Sequence, residues 1–172
     1  MPRARGRLAP LDPMTQLERP LLTREEAADA PCFGYLLVSA HAEGALVGGC
    51  LLVCPRGRPI EFHCTEAVTP TRAQQILFGA TLPAYLAGEV IGGALLRAAT
   101  RRPAVLVVED RACVAAGVVT QTPVVVVREG DPTPAELASL AEAIDVREPF
   151  TRVREAIAET QRFQPRVIED AA

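Results

Sequence analysis

The chain of 172 residues carries 18 basic and 21 acidic side chains, a formal charge of -3, and every basic residue is Arg. The absence of Lys excludes Schiff-base chemistry, a pyridoxal phosphate anchor and a lysine-bearing phosphate loop. Two Ser (Ser39, Ser139) and two His (His41, His63) remain for nucleophile and base duty, and 49% hydrophobic content suits one soluble domain of about 120 to 150 packed residues.

Residues 1–22 are basic and proline-rich with no apolar core, and read as a disordered tail instead of an export signal. Thr23-Arg-Glu-Glu26 has capping-box spacing and predicts a short helix over Arg24–Asp29. Cys32–Ala40, Ala45–Cys54 and Ile60–Val68 read as strands joined by turns at Ala42-Glu43-Gly44 and Pro55-Arg56-Gly57. Together they predict an antiparallel meander whose middle strand is apolar on both faces.

Thr71 and Gln74 predict a second capping box, with Gly79 closing the first segment of a broken helix. Its second segment runs from about Leu82 to Thr100, and Gly88 and Gly92, four apart, predict close packing of that helix on the sheet. Ala104–Val108 and Thr122–Arg128 are apolar strands flanking a short helix over Arg111–Ala116 that should stop at Gly117, a parallel crossover. Thr133-Pro-Ala-Glu136 predicts a capped helix with Leu137, Leu140 and Ile144 inward. Pro149–Arg162 predicts a last one with Phe150, Val153 and Ile157 as its stripe.

The fold class is therefore α/β, bordering on α+β: a mixed five-stranded sheet with an N-terminal antiparallel meander, a long broken helix packed on it and two C-terminal amphipathic helices. A single domain over residues 23–162 is expected, followed by a frayed tail over 163–172. No apolar stretch approaches the roughly 20 residues of a membrane helix, and five Cys without an export signal point to reduced thiols in a cytoplasm. Arg in place of Lys suggests the codon usage of a GC-rich, bacterial genome.

Four groups of residues offer chemistry. His41-Ala42-Glu43 matches the His-x-Glu of zinc deaminases, but the Cys pair that follows, Cys50 and Cys54, is spaced one residue too widely and lies in a strand, which favours a solvated turn. Cys50, Cys54, His63 and Cys64 are all zinc-ligand types on adjacent strands. His63 and Cys64 point to opposite faces, so at most three can act together, and Cys50 faces either His63 or, with the favoured three-residue turn, Phe62. Glu109-Asp110 stands at the carboxyl end of a parallel strand, where α/β sheets place ligands, although Asp110 also suits a helix cap. Arg56 and Arg58 on the hairpin tip, with Arg97, Arg101 and Arg102 at a helix end, form basic interaction patches.

The function expected from this inventory is a non-catalytic cytoplasmic interaction or regulatory module, a subunit of a larger bacterial assembly, bound to a protein partner or to itself. The alternatives are a small metal- or thiol-dependent enzyme using the Cys/His cluster, with zinc as its cofactor, and a nucleic-acid-binding accessory protein using the Arg patches. An acidic pI near 5.5 and few aromatic residues weigh against the last.

Overall fold

The computed structural model describes Leu8–Ala9 and residues 30–163. The helix expected over Arg24–Asp29, the rest of the tail over residues 1–22 and nearly all of the C-terminal tail lie outside the described residues. Six strands are described: β1 (Leu8–Ala9), β2 (Phe33–Ala40), β3 (Leu46–Val53), β4 (Pro59–Thr65), β5 (Val105–Val108) and β6 (Val124–Val126). They form one mixed sheet in the order β1-β4-β3-β2-β5-β6. The meander β2-β3-β4 is antiparallel, whereas β5 and β6 continue the sheet in parallel on the other side of β2. The five predicted strands are thus present, and the backbone of Leu8 and Ala9 adds a two-residue strand paired with Thr65 and Cys64.

Among the described residues five helices accompany the sheet, beside separate 3-10 turns: α1 (Arg72–Phe78), α2 (Ala84–Ala98), α3 (Arg111–Thr120), α4 (Ala138–Ala141) and α5 (Glu148–Phe163). Alternation along the strands divides their apolar side chains between two faces. On one face Tyr35, Leu51, Val53 and Val107 pack against Leu140 and the α5 stripe of Phe150, Val153 and Ile157. The other face buries Leu36, Cys50, Leu52 and Leu106 under Ile91 and Leu95 of α2 and Ala116 of α3. Helices therefore cover both faces of the sheet.

Local departures from the sequence reading have local causes. Ala84–Gly92 of α2 is π-helical, a wide-turn form that is rare in proteins. Gly88 meets α3 and not the sheet, while Gly92 meets both α3 and Leu36 of β2, because both crossovers return on the same face and set α2 beside α3. A Cβ on Gly88 would lie 2.5 Å from Ala115 Cβ and 2.8 Å from the Ala112 carbonyl oxygen, and one on Gly92 would lie 2.6 Å from Ala116 Cβ. Helix α3 passes through Gly117 to Thr120, and Gly117 is tolerated inside it because a side chain there would strike Val124 and the Thr122 carbonyl. The capping box at Thr133 does not form. Pro134 takes the N-cap position, one residue late, and a 3-10 turn over Ala135–Leu137 replaces the first α-turn.

The hairpin between β3 and β4 combines a predicted turn with an unpredicted register. Its loop has three residues, closed by the Cys54 N–H donating to the Arg58 carbonyl at 2.9 Å, with Gly57 at φ 74. A bulge then follows, because Val53 pairs with Pro59 while Leu52 pairs with Glu61, leaving Ile60 as the extra residue. Pro59 has no N–H to give the ladder, which suits it to the start of a strand or to a bulge. The extra residue sets Cys50 opposite His63 and not Phe62.

Candidate functional site

The bulge places Glu61 and His63 on the face that carries Cys50 and Leu52, and Cys64 on the other face with Val47 and Leu51. Cys50 and His63 thus share a face, as one of the two registers allows. The four residues do not make one ligand set. Among the described residues no three His, Cys, Asp or Glu side chains lie close enough together to hold a metal ion. Three of the buried thiols are poor nucleophiles as well. Burial, aided by the nearby Glu61 charge, pushes the Cys50 thiol up to about 12, and burial raises Cys64 to about 11 and Cys113 to about 12. Since the thiolate is both ligand and nucleophile, these sulfurs behave as small buried hydrophobes.

His63 is held by Glu61, whose Oε1 bonds its Nε2. The same carboxylate accepts the Thr100 N–H at 2.7 Å and the Thr100 hydroxyl at 2.8 Å, which fixes the turn after α2 to the middle of β4. Burial raises the Glu61 pKa, but the hydrogen bonds from His63 and Thr100 outweigh it and hold the group below its ordinary value of 4.5. A carboxylate with a depressed folded pKa stabilises the fold above its unfolded pKa, and that contribution is lost as pH falls through the folded value. Glu61→Gln should therefore cost about 1–3 kcal/mol at pH 7, and the gap from wild type should close below pH 4 in urea titrations across pH.

His41, Ala42 and Glu43 are exposed in the β2–β3 turn, with Glu43 at φ 56 beside Gly44 at φ 76. No Cys accompanies them, so the solvated-turn reading fits this geometry.

The crevice at the carboxyl ends of β2 and β5 lies where strand order reverses, the usual ligand position of open α/β sheets. It encloses about 380 Å³ and is lined by Val38, Glu109, Asp110, Arg111 and Arg128. Its acids are already engaged. Asp110 caps α3, accepting the Ala112 N–H at 2.9 Å, and Glu109 is bound by Arg154 and, at 3.7 Å, by Arg147. Those two arginines come from the α5 region, so Glu109 joins β5 to the helix over the opposite face.

The arginine patches gather at the other end of the sheet, where β2 and β5 begin. Arg56 and Arg58 are exposed on the hairpin tip. Arg97, Arg101 and Arg102 line a cleft of about 530 Å³ between the C-terminal ends of α2 and α3.

One functional candidate escaped the sequence reading. Helix α1 buries none of its residues, and Ile76 and Leu77 are 64% and 82% exposed. Its geometry is nevertheless well specified: the Thr71/Gln74 capping box forms, Gly79 ends it at φ 49, and Phe78 stacks on Tyr85 of α2 at 4.0 Å. From Ala73 to Gly88 the chain carries no charge. The apolar run Ile76-Leu77-Phe78, three consecutive residues and thus on more than one side of a helix, was the available signal. α1 and the next turn meet α2 at 107°; among the described residues no single helix is long and apolar enough to cross a membrane, and five residues of α2's π-helical part are buried.

Comparison with protein-family models, with curated proteins and with solved structures finds no match.

Proposed function

We propose that this protein is a non-catalytic, cytoplasmic interaction module that docks through α1, its first partner being a second copy of the chain. The observation that carries the reading is α1 itself: a capped helix that presents Ile76 and Leu77 to solvent instead of to the core. A seven-residue helix has little stability of its own and normally depends on packing an apolar face. Burying two large aliphatic side chains contributes about 3–6 kcal/mol, a large share of the roughly 8 kcal/mol of a micromolar contact. The uncharged stretch Ala73–Gly88 favours a second copy, since a two-fold contact sets each patch against itself and here meets no like charge. The cytoplasmic assignment rests on five buried free cysteines, and the all-arginine basic complement supports a bacterial source.

Light scattering after size exclusion tests the reading. Wild type should be dimeric at tens of micromolar, and Ile76→Glu/Leu77→Glu monomeric with an unchanged circular dichroism spectrum, because exposed substitutions shift stability by only about 0.5 kcal/mol. A wild-type monomer at 100 micromolar, as an order-of-magnitude ceiling for a specific contact, would overturn the reading. So would a dimer that survives the double substitution, or a monomer that sediments with lipid vesicles through Ile76 and Leu77.

A further inference from the structure

The cleft between the ends of α2 and α3 combines charge, an apolar wall and backbone strain. Arg97, Arg101 and Arg102 contribute three guanidiniums, and among the described residues none of them pairs with a carboxylate. Arg101 donates to the Ala30 carbonyl, which is not an acid, and the Arg97 guanidinium lies over Gly93, where a Cβ would sit 3.3 Å from its Nη2. Offsetting the helix dipoles does not account for all of this charge. Two helix C-termini supply about half a negative charge each. Adding the Glu61 carboxylate behind Thr100 still leaves a surplus of about one positive charge.

The wall opposite includes Leu96 and the exposed Val118 and Val119. Beside it, Gln121 adopts the left-handed conformation, φ 55 and ψ 41, at the end of α3. Gly is the ordinary residue there, and a side chain carries a steric cost. Retaining Gln costs the fold something and gains a side-chain amide on the cleft. Strain of this kind gathers at binding sites.

We infer that this cleft binds a small phosphate ester: the guanidiniums take the phosphate, and Leu96, Val118 and Val119 support its organic part. Arg presents paired N–H donors that match phosphate oxygens, and a volume of about 530 Å³ suits a small metabolite. The lining contains no aromatic side chain on which nucleic-acid bases would stack, which favours a discrete small molecule over a strand. This inference is independent of the docking role of α1.

Calorimetric titration of the full chain with phenyl phosphate and with inorganic phosphate tests it. Phenyl phosphate should bind with one-to-one saturation and about tenfold tighter than inorganic phosphate, because only the ester reaches the apolar wall. Arg97→Gln/Arg102→Gln should weaken phenyl phosphate at least about tenfold, the loss of charge-assisted contacts, with an unchanged circular dichroism spectrum. Arg56→Gln/Arg58→Gln should leave binding as it is. Gln121→Gly separates a ligand role from a structural one: it should weaken binding while the thermal midpoint stays level or rises. Three results would overturn the proposal: no saturation by phenyl phosphate, an equal loss from the hairpin arginines, or a single-stranded oligonucleotide that binds when phenyl phosphate does not.

Discussion

Gly88→Val should lower stability by about 3 kcal/mol or more through overpacking against the backbone of α3. A Cβ on Gly88 would stand 2.5 Å from Ala115 Cβ, 2.8 Å from the Ala112 carbonyl oxygen and 3.1 Å from Ala115 Cα. None of these atoms can be moved by rotating a side chain. Relief requires α3 to withdraw from α2, and α3 is joined to β5 and β6 at its two ends, so the shift would spread into the parallel half of the sheet. The small residues Gly88, Gly92, Ala112, Ala115 and Ala116 thus make a seam that lets the two helices approach closely. Gly130→Ala is the matched control. Gly130 has φ 84 but open space around its Cβ position, so only the left-handed conformation is penalised, at about 1 kcal/mol. Urea denaturation of both variants should separate close approach from backbone conformation. A Gly88→Val midpoint near that of Gly130→Ala would show that the seam tolerates expansion.

Much of what depends on short sequence separation was legible, the Thr133 cap and the Gly117 stop excepted. The meander showed in its apolar runs, α5 in the spacing of Phe150, Val153 and Ile157, and the Asp110 cap in its position two residues before the N–H it accepts. The hairpin shows where this stops. Pro55-Arg56-Gly57 announced a three-residue turn, yet the bulge at Ile60 moved every partner beyond it by one place, and with it the partner of Cys50. Contacts across the chain were beyond reach: Glu61 finds Thr100 thirty-nine residues away, and Glu109 finds Arg154 forty-five away. The same limit governs the candidate sites. Arg97, Arg101 and Arg102 cluster in the sequence, but Val118 and Gln121 join them only because both crossovers return on one face. Apolar residues in α1 read like core residues, since exposure is a property of the fold and not of the run.

The two faces of the sheet serve different ends. On the face under α2 and α3 the two helices meet through small residues above a layer of Leu and Ile, and the arginine cleft opens between their ends. The face under α5 holds the large rings of Phe33, Tyr35 and Phe150 among aliphatic side chains. The Glu109 pairings with Arg147 and Arg154 connect the two layers, so this carboxylate serves structure at a strand end where α/β sheets often place ligands.

On that second face, Phe150→Ala should cost about 3–5 kcal/mol, the range for emptying a large aromatic site in a core. Phe150 is fully buried in the first turns of α5, and its ring meets Tyr35 edge-on with centroids 5.0 Å apart. Edge-to-face pairs of this kind add about 0.5–1.5 kcal/mol to the burial of the ring. The neighbouring Tyr35→Phe isolates a different contribution. It keeps the ring pair and removes only the hydroxyl, which donates to the Val146 carbonyl at 2.8 Å, so it should cost about 1–2 kcal/mol. Burial raises the Tyr35 pKa above its ordinary value of 10.0, so the hydroxyl stays protonated and the bond persists through neutral and mildly alkaline pH. Because the tyrosine pKa is higher folded than unfolded, its contribution is complete below about pH 10 and is lost as pH rises from there through the folded value. Hydrogen exchange should distinguish the two variants further. Phe150→Ala should loosen the amides of α5 while those of α2 and α3 keep their protection, and equal loosening of both layers would show that the sheet unfolds with its two faces as one unit.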